Sequence, residues 1–463
     1  MKNYDLYEMD RRVLLHPFTE LSQHRKKGPN VIEDASHLFV RDARHGKILD
    51  GAAGLWCVNA GYGREEIARA MHEQALKLPF FHSFTSSANE PSIRLAEKVL
   101  QFAPSNMSKV FFGNSGSDAN DTNVKIVWFY NNVRGRPRKK KIIARRRAYH
   151  GVTVASGSLT GLPHCHAGFD LPIPQVLHTE PTYYYREAPA GVSEEDYGKS
   201  LAAQLDAMIM AEDPETVAAF IAEPVMGTGG VLTPPANYFE EIQKVLRKHQ
   251  VLMIADEVIT GFGRLGFPFG SQKYRITPDL MTLAKGLTSG YQPMSATLLT
   301  QEIADVLEAG SKERGTFGHG FTYSAHPVAA AAGLANLDII EREGLTENAA
   351  DVGSYLIGRL REELRNEPFV GDVRGAGLMI GVELVADPAT KKPFELSDPV
   401  HGQVAKACYE EEKLIVRPLP NGHTLGFSPP LVISRSEADD LAERFVRGLR
   451  RVTDERTRGR PAA

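Results

Sequence analysis

The chain has 463 residues, of which 42% are hydrophobic and 24% charged, and its formal net charge is −3. That balance is ordinary for a globular protein and gives no global charge for nucleic acid, a membrane surface or a strongly charged substrate. The three scattered cysteines, Cys57, Cys165 and Cys408, argue against a disulfide framework or a zinc site and fit a reducing cytoplasm.

In chain order, the N-terminal MKNYDLYEMDRR lacks the apolar stretch of a secretory signal, and no run of 18 apolar residues marks a membrane span. The first 40 or so residues read as polar and irregular, with HPFTE (His16 to Glu20) as a compact cluster. HLFVRDARHGKILDG predicts a β-hairpin around its polar His-Gly turn. From Pro91 the pattern becomes βα-like. IRLAEKVLQFA is helical, KVFFGNSG is a strand entering a Gly-Ser turn, and DANDTNVKIVWFYNNV is helical again. The short apolar runs KIIAR, VAAFIAEPV, VLMIADEV and DLMTLAK alternate with helical segments such as NYFEEIQKVLRKH. This alternation predicts a mostly parallel α/β sheet with helices on both faces. A long Ala-rich helix starts near 326. VGDVRGAGLMIGVELV reads as strands around a tight turn, KLIVRPL as a strand stopped by Pro418, and SRSEADDLAERFVRGLRRV as a closing helix. The tail RTRGRPAA is expected to fray. At about 100–200 residues per domain, two or three units are expected. We divide the chain into an arm and hairpin (1–60) belonging to a small domain, a large domain (61–325) and a C-terminal α+β domain (326–463).

Four places carry chemistry. Asp256 and Glu257 end the buried run Val251–Ala255, and ligands of open parallel sheets bind beyond such strand ends. A carboxylate there pairs with a cationic ring nitrogen, or merely caps a helix. Lys285 ends the next apolar run, where desolvation favours a neutral, nucleophilic amine; a solvated surface lysine is the plain alternative. The two lie 29 positions apart, about one αβ step. GNSGSDAND (113–121) places small residues at a helix start, where amides approach an anion or simply form a capped turn. No Gly-Lys-Ser/Thr follows, so it is not a nucleotide-triphosphate loop. Tyr149, in AYHG, is placed to stack on a flat ring or to pack in the core. RGRPRKKKIIARRR holds nine Lys/Arg in fourteen positions, but it brackets a strand and lacks aromatics. No nucleic-acid partner is inferred from it.

Taken in order, NSGSDANDT, AYHGVT, AEPVMG, IADEVITGFGR, AKGLTSGYQPM, HGFTYSAHP and LIVRPL resemble the class III (omega-)aminotransferases. The likeness covers nearly the whole chain and is nearest the amine:pyruvate and omega-amino-acid:pyruvate branch. It implies a fold-type-I scaffold for pyridoxal 5′-phosphate (PLP), with a mostly parallel seven-stranded sheet in the large domain and a smaller α+β domain. It implies Lys285 as the Schiff-base lysine and Asp256 as partner of the pyridinium nitrogen. Val258 and Tyr149 would face the two sides of the ring, with His150 beside them. Ser115, Gly116 and Ser117 would cradle the phosphate. Glu223 would sit near the ring hydroxyl. Phe321 would be a cofactor contact, and Thr322 would reach the phosphate of the neighbouring subunit, which implies a homodimer with shared sites, possibly paired into a tetramer. Substrate contacts would come from Phe18, Trp56, Phe84, Tyr149 and Arg417. No metal site and no membrane partner are implied, and the location is expected to be cytoplasmic. The implied reaction moves an amino group from an amine donor to a keto acid such as pyruvate. An aminomutase, racemase or decarboxylase on the same scaffold, or a non-catalytic PLP binder, is the alternative. Two positions depart from the family pattern: Asp118 stands where Glu is expected, and Asn123 where an apolar residue is usual.

Overall fold

The computed structural model describes residues 5–458, apart from Leu396 and Asn421. At its centre is a seven-stranded sheet. In spatial order its strands are Met107–Gly113, Ser295–Thr300, Leu280–Leu283, Leu252–Asp256, Val217–Ala222, Lys141–Arg145 and Val176–Thr179. Only Ser295–Thr300 runs antiparallel to its two neighbours; the other pairings are parallel. The inner strands are continuous apolar runs, and Val217–Ala222 is buried throughout, because helices cover both faces. Among the buried polar residues within these strands are Thr282, in Leu280–Leu283, and Thr297, in Ser295–Thr300.

The predicted hairpin forms, with Phe39–Asp42 antiparallel to Gly46–Asp50. A further strand, Ile32–Ser36, joins it on one side and Leu414–Ile415 pairs with it in parallel on the other. A second four-stranded sheet takes Val370–Ala376, Met379–Leu384, Thr424–Phe427 and Arg417–Pro418.

Three sequence expectations change. The first 40 residues are not irregular: helices Leu6–Val13 and Leu21–Lys27 form there. Both are short and lack buried residues, so they depend on caps, with Asp5 accepting from the amide of Tyr7 and Glu20 from those of Ser22 and Gln23. KLIVRPL is not one strand stopped by Pro418. It divides at the buried Val416 into two-residue strands belonging to different sheets, and Pro418 pairs with Leu425. Pro418 is tolerated because Arg417–Pro418 is an edge strand, where a missing N–H breaks no inner ladder. Finally, the closing helix Arg435–Arg458 runs into the tail that was expected to fray; residues 459–463 lie outside the described residues.

The basic stretch 134–147 is absorbed by the fold. Lys139 is 1% exposed and donates to the carbonyls of His249 and Gln250 at the end of helix Tyr238–His249. Arg138, Lys141 and Arg146 pair with Asp213, Glu212 and Glu180. Among the described residues, no helix is long and apolar enough to cross a membrane.

Candidate active site

The carboxyl ends of the central strands open into a cavity lined by Tyr149, His150, Glu223, Asp256, Val258 and Lys285, with Gly116 and Ser117 at the start of a helix. Parallel strands deliver these residues from distant positions to one edge of the sheet.

Asp256 and Glu257 are adjacent but face opposite tasks. Asp256 lines the cavity. Its Oδ2 accepts from His150 Nδ1 at 2.7 Å and from Asn120 Nδ2 at 2.9 Å, and its Oδ1 accepts from the amide of Val258 at 3.1 Å. Glu257 is fully buried and accepts from Thr260 Oγ1, Ser271 Oγ and the amides of Gly270 and Ser271. Burial raises its pKa, and these donors oppose the rise. It therefore ties the 270–271 turn and offers nothing to a ligand. The period of two along a strand explains the split, since neighbouring side chains point to opposite faces.

Lys285 follows strand Leu280–Leu283 and has φ +43°, a left-handed conformation that is costly for a residue with a Cβ. Burial pushes its amine below the ordinary lysine range, the Arg417 charge adds to this, and Asp256 and Glu223 oppose it. Glu223 is 3% exposed and receives the amides of Tyr149 at 3.1 Å and Gly227 at 2.8 Å. Burial raises its pKa.

The helix Gly116–Val133 opens toward the cavity. Ser115 caps it: its Oγ accepts from the Asp118 amide, while the Asp118 carboxylate accepts from the amides of Ser115 and Asn114. Asp118 also receives Ser295 Oγ at 2.9 Å. The shorter acid at 118 thus completes a capping box and reaches the sheet. The first helical amides have no preceding carbonyl to bond and carry the positive end of the helix dipole. A Cβ at Gly116 would stand 3.0 Å from Val258 Cγ2, so only glycine leaves this corner open.

A flat, phosphate-bearing ring with a basic nitrogen fits this chemistry. Asp256 answers a ring nitrogen, Lys285 an aldehyde, the helix start a phosphate, and Val258 and Tyr149 the ring faces. His150 Nε2 is buried without a protein partner, a polar atom left over beside the same space.

The remaining predicted residues are placed differently. Trp56 is 1% exposed and has φ +63°. It packs in a cluster with Ile259, Met379 and Leu419, so it is a wall more than an open surface. The Arg417 guanidinium lies 5.7 Å from its ring centre. Among the described residues, none supplies Arg417 with a carboxylate at ion-pair distance, and burial lowers its pKa. Phe18 is 70% exposed at the mouth, its ring 6.4 Å from that of Tyr149. The arm that carries it is tied by Asp10, which receives both His16 and His24 at 2.9 Å. Phe84, Phe321 and Thr322 do not line the cavity of their own chain. Phe84 lies against Gly320, Phe321 packs edge-on to His319, and Thr322 is exposed. Sequence reading missed Asn120 and Thr282 beneath Asp256. Their signals were available: Asn120 sits one helical turn past Gly116, and Thr282 is the one hydroxyl in an apolar strand.

Comparison with known proteins agrees with the geometry. The model of the family "Aminotransferase class-III" matches residues 22–449. Diaminobutyrate–2-oxoglutarate transaminase of Halomonas elongata is 50% identical over 458 residues, covering 98% of this chain and 97% of that protein. Gamma-aminobutyrate transaminase 1 of rice is 44% identical over 447 residues, covering 96% and 85%. The omega transaminase of Pseudomonas jessenii, solved in complex with PMP, superposes with a TM-score of 0.96 at 46% identity, covering 99% of this chain and 100% of that one. With a family match across nearly all its length and a cavity built for the same cofactor, this chain belongs to the class III aminotransferases and is a PLP-dependent transaminase of fold type I.

Proposed function

We propose that the enzyme moves an amino group from an amine or omega-amino acid to a small keto acid such as pyruvate, in two half-reactions through one pocket. Bound PLP supplies an aldehyde and an electron-accepting ring. Lys285 Nζ, whose pKa burial lowers, would hold that aldehyde. With substrate in place, the same amine would carry the proton to and from the substrate carbon as general base and acid. Asp256 keeps the ring nitrogen protonated, with His150, Asn120 and the Val258 amide holding the carboxylate still. Val258 and Tyr149 would hold the ring between them, Glu223 would stand near its hydroxyl, and the amides of Gly116 and Ser117, at the helix start capped by Ser115, would take its phosphate.

The observation that carries the substrate reading is Arg417. A guanidinium that is half-buried, stacked on Trp56 and without a carboxylate of its own is costly unless an anion comes to it. Its charge acts on both Lys285 and Tyr149, which places it within electrostatic reach of the reacting centre. A keto acid offers a carboxylate for a two-point contact. An apolar amine offers none, and the arginine then turns aside, leaving Phe18 and Trp56 as apolar walls. The names of the relatives point to omega-amino donors, diaminobutyrate and gamma-aminobutyrate, and the first also to a 2-oxo acid acceptor.

The site is shared between two copies in this reading. Phe84 and Thr322 lie on the surface of their own chain with the half-buried Phe321, near the exposed Phe80, Phe81 and Tyr323. A second copy seated there brings Thr322 to the neighbour's phosphate and Phe84 to its pocket.

The test is Arg417→Ala in half-reactions followed by the absorbance of the bound cofactor. The apparent KM for pyruvate and for an omega-amino acid should rise about 10–150-fold, the worth of a charge-assisted contact. The half-reaction with a carboxylate-free aryl-alkyl amine should be spared. Equal losses with both kinds of substrate would remove the case for dual recognition.

A further inference from the structure

A line of buried amides and one hydroxyl runs from the helix into the carboxylate beneath the cofactor space. Asn120 and Asn123 are three apart on the helix Gly116–Val133 and so share a face. Thr282, from the neighbouring strand, sits between them. All three are fully buried. Asn123 Nδ2 donates to Thr282 Oγ1 at 2.7 Å, and Thr282 Oγ1 donates to Asn120 Oδ1 at 2.6 Å. Asn120 Nδ2 then donates to Asp256 Oδ2 at 2.9 Å and to the His150 carbonyl at 2.7 Å.

Counting protons fixes the direction of this line. A threonine hydroxyl has one proton to give. Because the Asn123 amide occupies a lone pair of Oγ1, that proton goes to Asn120 Oδ1. Asn120 is thereby held with its NH₂ toward the two acceptors at the site. The reversed amide would set its oxygen against the Asp256 carboxylate and the His150 carbonyl, and would leave the Thr282 hydroxyl proton without its acceptor. Asn123 carries a cost for this, since its own Oδ1 is buried with no partner. An apolar side chain at 123 would remove that orphan oxygen, yet it would free the Thr282 hydroxyl to rotate.

We infer that Asn123 is a positioning residue for Asp256, acting through Thr282 and Asn120, so that the polarity of the whole line is set three hydrogen bonds away from the carboxylate it serves. The inference rests on the reading of Asp256 as the partner of the ring nitrogen. It also accounts for the departure at position 123: the asparagine is a component of the site's support and not a surface-type residue misplaced in the core.

The experiment compares Asn123→Ala, Thr282→Val, Thr282→Ser and the double variant Asn123→Ala/Thr282→Val as PLP-loaded enzymes. Asn123→Ala and Thr282→Val should shift the pH midpoint of the bound cofactor's absorbance in the same direction. Each should slow the single-turnover reaction with a saturating amine about three- to tenfold, the factor carried by one neutral hydrogen bond. Thr282→Ser, which keeps the hydroxyl, should behave as wild type. The double variant should lose no more than Thr282→Val alone, because both changes break one line. If Asn123→Ala leaves the spectrum and rate at wild-type values and moves only the melting temperature, the relay is wrong; losses that multiply in the double variant overturn it equally. Should Asn123→Ala fail to fold, Asn123→Ser is read in its place. Asp256→Asn, measured alongside, separates the two levels. Wild-type turnover in that variant sinks the role of Asp256 itself, whereas its loss with Asn123→Ala unaffected sinks only the relay.

Discussion

The floor of the cavity and the aromatic surface that would form its rim in the two-copy reading are built in opposite ways. On the floor, Asp256, Glu223, His150, Asn120 and Thr282 are each at most 3% exposed, and every one is held by hydrogen bonds from a different element of the same chain. At the rim, Phe81, Phe84 and Tyr323 are 48%, 45% and 58% exposed, and ring contacts such as that of Phe80 with Tyr323 join neighbouring loops only. The contrast teaches that one chain suffices to prepare the carboxylate and the amine, whereas its aromatic surface offers area that nothing in the chain covers. Preorganised charge demands a low-dielectric setting with every donor assigned. Substrate-sized space can instead be walled by flat side chains supplied from elsewhere.

If the floor is self-contained, its variants should fail whatever the state of assembly, and the largest failure should be at Lys285. Lys285→Met is expected to remove the characteristic absorbance of bound PLP and to lower turnover by at least about 10³-fold, since both the attachment point and the proton carrier are gone. Retention of spectrum and rate would move the reactive amine elsewhere. The same variant sharpens the electrostatic side in the cofactor-free protein. The folded-state pKa of Lys285 is lowered by burial, so between that value and the ordinary 10.5 the unfolded chain binds more protons. Its contribution therefore makes the wild type more stable as pH rises through that window. Lys285→Met should lack this gain, which paired denaturant titrations at several pH values would read as a difference shrinking toward high pH.

Next comes Asp256→Asn. It keeps the shape of the floor and removes its charge, and it is expected to slow single turnover by about 10²–10³-fold while the protein stays folded. Near-normal turnover at saturating PLP would show that the ring nitrogen needs no anion here. The smallest effect should come from the rim. Thr322→Ala should weaken PLP retention by about tenfold through loss of one hydrogen bond to phosphate. Dilution that separates subunits should weaken retention in the wild type in the same sense. A monomer holding PLP tightly and working at full rate would break the comparison outright, because rim and floor would then belong to one chain.

Much of the floor was legible before any coordinates. Lys285 and Asp256 stand out because charged residues at the ends of apolar runs are rare, and a parallel sheet sends all such ends to one edge. Gly116 was visible as a small residue between a strand and a helix. What adjacency could not decide was the division of labour between Asp256 and Glu257, since a one-residue change in position along a strand reverses the face and only the surrounding turns show which face is the cavity. Asn120 and Thr282 were missed because a single polar residue within a buried element announces a partner without naming it.

What the sequence determined by itself was therefore the local and the periodic: the βα alternation, the helix start at Ser115, the placing of Lys285 and Asp256 at strand ends, and the membership of a transaminase family. Tertiary structure alone decided the rest. It divided KLIVRPL between two sheets and so set Arg417 against Trp56. It tied the basic stretch 134–147 to a helix end and into ion pairs. It left Phe84 and Thr322 outside their own cavity and made Asn123 part of a line leading to Asp256. The reason is range. Caps, strand ends and helix faces are settled within a few residues, whereas each of these other outcomes depends on a contact between segments tens to hundreds of positions apart, and no pattern in one segment encodes the surface of the other.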